Sequence, residues 1–223
     1  MRMSALEKAL VNRPAKGIRN VARVRRALEA LGSPDIAHAL ELGCGTGEVA
    51  AFLASERGYD VLGVDVDPAQ VALARARYGE GRRLQFVVAD AGNLDFGPAR
   101  FELVVAQNVF HHVPAWRSAV REIGRVVRPG GHVLWLDLTP PAPLAALLRP
   151  LRTRFGVYTL KEVRAAFRAE GFVEVAVRQL VPGLPIRHEL VLRKADTRRA
   201  LPNHHVPLAV PALRGRIARV VST

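Results

Sequence analysis

Ala39-Leu40-Glu41-Leu42-Gly43-Cys44-Gly45-Thr46-Gly47 is the stretch that decides how this chain folds. It joins an apolar run, Ile36 to Leu42, to a helical pattern that opens near Glu48. An acidic residue stands near the end of the run, and three glycines then alternate through the turn. A strand that enters a helix this way brings backbone, not side chain, up to a ligand. Glycine tolerates positive φ and has no Cβ to block that approach. The bland reading of such a turn is packing alone. The spacing separates ligand classes. A dinucleotide turn runs Gly-x-Gly-x-x-Gly, and counted from Gly43 its third glycine falls on Glu48. A phosphate-gripping P-loop ends in Gly-Lys-Ser/Thr, and neither Gly43 nor Gly45 leads to one.

Outward from the turn, short apolar runs alternate with amphipathic stretches. That order predicts an α/β fold with a mainly parallel sheet and helices on both faces. Strands are expected over 36–42, 60–65, 84–89, 101–106, 132–138, 173–180 and 187–193. Helices are expected over 48–57, 68–78, 114–127 and 160–170. Asp67 and Pro68 read as N-cap and first residue of one helix. Thr159 and Glu162 read as the capping box of another. Pro129-Gly130-Gly131 reads as the stop and turn before the fifth strand, and Val181-Pro182-Gly183-Leu184-Pro185 as the turn between the last two.

The length of 223 residues, with 49% hydrophobic and 24% charged content, fits one globular domain with a full core. That domain is expected over 1–194, its ligand-binding core over 36–138 and a helix with a strand pair over 159–194. Residues 1–31 read as a helical cap, with Val21, Val24, Leu28 and Leu31 on one face and Arg19, Arg23 and Arg26 on another. The proline-led insertion 139–158 reads as a lid, with Leu144, Leu147, Leu148 and Leu151 beside Arg149, Arg152 and Arg154; Pro150 limits its helix to about two turns. The basic, proline-containing tail 195–223 is expected to be poorly ordered without a partner.

No apolar run approaches the roughly 18 residues of a membrane span. Glu7 and Lys8 interrupt any secretory apolar region, and the lone Cys44 excludes an internal disulfide and a cysteine-based zinc site. The expectation is a cytoplasmic protein. The net charge of +13 is almost all arginine, since only Lys8, Lys16, Lys161 and Lys194 are lysines. Such a balance admits nucleic acid or an anionic membrane as partner. An arginine bias spread along the chain also follows from GC-rich coding.

In open α/β sheets, ligands bind beyond the carboxyl ends of the strands, where strand order reverses. Glu41, Asp65, Asp90, Gln107-Asn108 and Asp137 all fall at such ends. Asp65 lies about twenty residues past the glycines, the spacing at which a carboxylate accepts from both ribose hydroxyls of a nucleoside. Asp90 can alternatively cap the turn 91–94, and Asp137 can cap the proline-rich segment.

The set Glu41-x-Gly43-x-Gly45-x-Gly47, Asp65 and Asp90 resembles the opening motifs of the class I S-adenosylmethionine (SAM) methyltransferases. Phe101-Glu102-Leu103-Val104-Val105 with Asn108-Val109-Phe110-His111-His112-Val113 is similar to the family's fourth motif. Arg125-Val126-Val127-Arg128-Pro129-Gly130-Gly131-His132-Val133 is similar to its turn before strand five. The likeness is to the Rossmann-like, seven-stranded type 11, small-molecule group, over roughly 36–138 and more loosely 159–194. It implies an antiparallel seventh strand. It also implies that Gly43, Cys44, Gly45 and Gly47 pass beneath the methionine part of SAM and that Glu41 holds its amino group. Asp65 and Val66 would meet the ribose, Asp90 and Ala91 the adenine, and Gln107 would close over the methionine.

His111 and His112 are the general-base candidates, because a neutral imidazole can take a proton from a hydroxyl or amine. One of them packing behind the site is the alternative. Methyl transfer can also proceed by alignment alone, since the sulfonium is already activated. The fourth motif lacks the Asn/Asp-Pro-Pro-Tyr/Phe element of base and glutamine methylation, and there is no Pro-Cys pair for attack on cytosine. No cluster resembles a magnesium-dependent site, and no metal is expected. The reading is a small-molecule methyltransferase acting at O, N or C, monomeric or homodimeric. The alternatives are an RNA methyltransferase recruited by basic ends, a non-catalytic SAM-binding scaffold, and weak membrane-surface association through the insertion.

Overall fold

The computed structural model describes residues 14–32, 34–180 and 186–196. Seven strands form one sheet: β1 His38–Leu42, β2 Asp60–Asp65, β3 Leu84–Val88, β4 Phe101–Gln107, β5 Val127–Leu138, β6 Phe172–Gln179 and β7 Arg187–Lys194. Their order is β3-β2-β1-β4-β5-β7-β6, with β7 antiparallel to both of its neighbours. The helices are α1 Pro14–Ala30, α2 Glu48–Glu56, α3 Pro68–Tyr78, α4 Trp116–Val126, α5 Ala142–Leu148 and α6 Leu160–Ala169. The sheet is the Rossmann-like one that the sequence pattern anticipates.

Two cores sandwich the sheet. One face packs Val24 and Leu28 of α1, Phe52 and Leu53 of α2, and Val71 of α3 over Ala39, Val61, Leu103 and Leu134. The other packs Trp116, Val120 and Ile123 of α4 with Val163 and Phe167 of α6 over Leu40, Val104 and Trp135. Val24 and Leu28 are fully buried and Val21 and Leu31 pack beside them, so the apolar face read for the first helix is the one it buries. Residues 1–13 of the expected cap, residue 33, the expected turn over 181–185 and the expected tail from 197 lie outside the described residues.

Local signals set most boundaries. Asp67 caps α3 by accepting from the Ala69 amide, and Thr159 with Glu162 completes a capping box on α6. Helix α5 ends just before Arg149-Pro150, as a proline demands. Pro129-Gly130-Gly131, read as a turn, instead lies inside β5. The β4–β5 register shifts between Phe101 and Leu103, and this bulge absorbs the irregular residues. A Cβ on Gly131 would stand 3.0 Å from the Glu102 carbonyl, so close strand packing explains that glycine. Buried Glu102, invisible to the strand pattern, accepts from the Ala37 and His38 amides and starts β1.

Candidate active site

Strand order reverses between β1 and β4, and the chain opens there into a cavity of about 430 Å³. Glu41, Gly43, Cys44, Gly45, Asp65, Val66, Asp90, Ala91, Gln107 and His112 of the sequence-read site all lie on its wall. Gly47 and His111 do not.

The glycine turn is held from both sides. The Cys44 amide donates to the Val64 carbonyl, and the Gly47 amide to the Cys44 carbonyl. All three glycines have positive φ. Their reasons differ. A Cβ on Gly43 would collide with the Val109 side chain, and one on Gly47 would stand 2.8 Å from the Phe86 ring. One on Gly45 would meet nothing within 4 Å, because it points into open space. The packing reading therefore explains Gly43 and Gly47, and only Gly45 leaves room for a ligand.

Glu41 replaces a missing cap. Gly47 at the start of α2 offers no side chain, so the Glu41 Oε2 atom accepts from the Ala50 amide at 2.8 Å across the turn. The other oxygen remains available on the cavity wall. Burial pushes the Glu41 carboxyl well above its usual range, and Glu48 and Asp65 add to that against the Ala50 hydrogen bond. Asp65 is aimed by two amides: Gly45 donates to Oδ2 at 3.0 Å and Asp67 to Oδ1 at 2.9 Å. Burial raises its pKa too, although those amides oppose the shift. Burial, Glu41 and Asp65 together push the Cys44 thiol up, which makes it a packing group and not a nucleophile.

Asp90 does cap its turn, since Oδ1 accepts from the Gly92 amide at 2.8 Å. It also lies on the cavity wall, so the two readings of Asp90 coexist. At the end of β4 two buried polar atoms, Gln107 Oε1 and Asn108 Nδ2, make no hydrogen bond among the described residues. Asn108 also holds a left-handed φ of 59°. Unpaired buried polar atoms and backbone strain at one strand end are costs that a polar ligand would offset.

The two histidines divide. His112 is on the cavity wall, with its ring centroid 4.0 Å from that of His111. His111 turns away to pair its Nδ1 with Asp137 Oδ1 at 2.5 Å. Asp137 is fully buried and neither caps the proline-rich segment nor reaches the cavity wall. It accepts from the Phe110 and Leu138 amides and so anchors the 3-10 turn Phe110–His112 to the end of β5. Sequence reading missed Lys16 and Asn20, which line the cavity from the start of α1. Their i, i+4 spacing puts them on one face, but only tertiary packing says what that face meets. Of the two segments expected to cap the acceptor side, α1 reaches the wall, while residues 139–158 contribute no lining residue. Among the described residues no three His, Cys, Asp or Glu side chains form a metal-binding group, and no helix is long and apolar enough to cross a membrane.

Glycine turn, acidic strand ends and strand order together define a class I methyltransferase fold. Residues 40–135 match a family described as methyltransferase domain. The O-methyltransferase cnsE of Penicillium expansum is 36% identical over 109 residues, 48% of this chain and 40% of that protein. A ubiquinone/menaquinone biosynthesis C-methyltransferase of Desulfotalea psychrophila is 34% identical over 114 residues, 50% of this chain and 45% of that protein. The chain thus spans less than half the length of these two relatives. Phosphoethanolamine N-methyltransferase 2 of Haemonchus contortus, solved with phosphomonomethylethanolamine and S-adenosylhomocysteine, superposes with a TM-score of 0.65 at 20% identity, over 80% of this chain and 52% of that one. Residues 40–135 thus match a methyltransferase domain, and the sheet around them has the Rossmann-like strand order.

Proposed function

We propose that the cavity binds S-adenosylmethionine and that the protein moves its methyl group to an O, N or C nucleophile of a small molecule. The observation that carries this reading is the set of unmet groups around one opening: the free oxygen of Glu41, Gln107 Oε1, Asn108 Nδ2 and the open side of Gly45. A zwitterionic, positively charged nucleoside suits that set. Glu41 takes the ammonium, Asp65 the ribose hydroxyls, Asp90 and Ala91 the adenine, and Gln107 the methionine. When bound, the sulfonium supplies an already activated methyl group. The protein's remaining task is to align donor and acceptor and exclude water. The relatives named above are an O-, a C- and an N-methyltransferase, so the attacked atom is not read from the shared core.

His112 lies on the cavity wall, whereas His111 is turned away and pairs its Nδ1 with Asp137 Oδ1. The His112 ring is therefore the one placed to take a proton released by the acceptor, but alignment carries most of the acceleration. His111→Ala and His112→Ala are each expected to lower turnover by a smaller factor than Asp65→Ala weakens donor binding. A turnover loss of about a thousandfold at either histidine, the range of full general-base catalysis, with donor binding intact, would overturn this ordering.

Glu41 gives the reading a test that needs no acceptor. Its folded pKa lies above its ordinary value of 4.5, so ionisation opposes the ligand-free fold. That contribution is absent at low pH and grows as pH rises from the ordinary value towards the raised one. A bound ammonium pulls the pKa back down, so binding releases a proton and tightens with rising pH through that interval. Calorimetry of S-adenosylhomocysteine in two buffers of different ionisation enthalpy should give two different apparent enthalpies. Equal values, with wild type and Glu41→Gln alike, would remove Glu41 from the ammonium site.

A further inference from the structure

The segment between β5 and α6 carries apolar surface that the fold leaves uncovered. Leu144, Leu147 and Leu151 stand at spacings of three and four. That puts them on one side of α5 and of the 3-10 helix Arg149–Thr153 that continues it. They are 40%, 75% and 48% exposed, and Leu138 at the end of β5 is 38% exposed. Ala145 is the buried residue of α5, so the helix rests on the protein by a small side chain and turns its large ones out. A single exposed leucine is ordinary, but a row of them marks a contact surface.

Both ends of the segment are tied to the cavity. It leaves the sheet at Leu138, two residues past Leu136, which pairs with Gln107 on the cavity wall. It returns at Gly156, whose amide donates to the His111 carbonyl at 3.1 Å. A Cβ on Gly156 would overlap the Phe110 carbonyl, so the return is closely packed. No residue of 139–158 lines the cavity, so the leucines stand beside the opening and do not cover it.

The surroundings of the row are basic. From Thr139 to Lys161 there is no Asp or Glu, while Arg149, Arg152, Arg154 and Lys161 all fall in that stretch. All four are exposed. Glu162, which borders the stretch, already serves the Thr159 cap and is shared by Arg149 at 3.5 Å and Arg117 at 3.8 Å. Tyr158, the one Tyr or Trp of the stretch, is buried, so the row lacks the aromatic anchors on which protein interfaces rely. Leucines rimmed by cations match an anionic bilayer instead. The apolar side chains enter the acyl boundary and the cations meet lipid phosphates. We infer that Leu144, Leu147 and Leu151, with the cations around them, dock the protein on an anionic membrane surface, its cavity end turned towards the lipid.

The test is flotation of the full chain with vesicles of phosphatidylcholine and phosphatidylglycerol, and with phosphatidylcholine alone. Binding to the anionic vesicles is expected, weaker on the neutral ones and weakened by salt. Leu147→Ser removes a side chain that supports no core, and should lower vesicle affinity about tenfold or more. Arg152→Gln should lower it about fivefold, the worth of one cation at such a surface. Arg82→Gln, exposed just before β3 at the opposite end of the sheet, should leave it unchanged. No binding to anionic vesicles would overturn the inference. So would a Leu147→Ser that binds as wild type, or an Arg82→Gln as weak as Arg152→Gln, since either would make the attraction one of net charge alone. Self-association that Leu147→Ser abolishes, without vesicle binding, would give the row to a second copy of the chain. A Leu147→Ser that keeps vesicle binding but loses S-adenosylhomocysteine would make the segment a lid. The inference does not rest on the methyl-transfer reading, which titration of the same preparation with S-adenosylhomocysteine tests separately.

Discussion

Asp65→Ala is expected to raise the dissociation constant for S-adenosylhomocysteine by about a hundredfold or more, since two hydrogen bonds to a charged acceptor contribute roughly 1.5–3 kcal/mol each. The carboxylate is already aimed before any ligand arrives. Gly45 and Asp67 fix its two oxygens at 3.0 and 2.9 Å, so no rearrangement is required to meet a ribose diol. The same bonds tie the glycine turn to the end of β2, and their loss loosens Gly45 as well. Asp65→Asn separates the two contributions. Its amide keeps the volume but offers a single acceptor oxygen, so it cannot serve Gly45 and Asp67 together. Calorimetry on both variants, with a thermal melt to confirm folding, checks this. A change below about threefold in a folded Asp65→Ala, less than one hydrogen bond is worth, would take Asp65 out of the donor site.

The three glycines are expected to divide sharply on substitution by alanine. Gly43→Ala places a methyl group against Val109, and Gly47→Ala places one against Phe86 and Ala74. Both also force an L-residue into a left-handed conformation. Overpacking of about 1–3 kcal/mol adds to a backbone cost of about 1–2 kcal/mol, so each variant should melt markedly below wild type. Gly45→Ala carries only the backbone cost, because its methyl meets no protein atom within 4 Å. It should stay folded and lose donor binding, since the methyl fills the space the ligand would use. Melting curves and S-adenosylhomocysteine titrations of all three variants decide the matter. Equal loss of stability in all three would return the turn to packing alone. Undiminished binding by Gly45→Ala would show that the ligand does not approach there.

The fold was largely legible because its signals are local. Alternating apolar runs place the strands, and Asp67, Thr159 and Pro150 act within a few residues of where they stand. Pro129-Gly130-Gly131 misled because a bulge inside a strand uses the same residues as a turn, and only the neighbouring strand distinguishes them. The site was legible where strand ends dictate it, as for Glu41, Asp65, Asp90 and Gln107. It was not legible where a side chain serves a distant element. Asp137 anchors the Phe110–His112 turn from 26 or 27 residues away, and Glu102 holds the Ala37–His38 backbone from 64 or 65. Lys16 joins the cavity only because α1 packs beside α2, with Gly17 close against Glu48.

Transfer of label from methyl-tritiated S-adenosylmethionine into a fractionated cell extract of the source organism tests methyl transfer most directly, with Asp65→Ala as the control. The expected result is label in the small-molecule fraction, absent with the variant. Label in RNA, or no label anywhere from a protein that binds S-adenosylhomocysteine, would contradict a small-molecule methyltransferase.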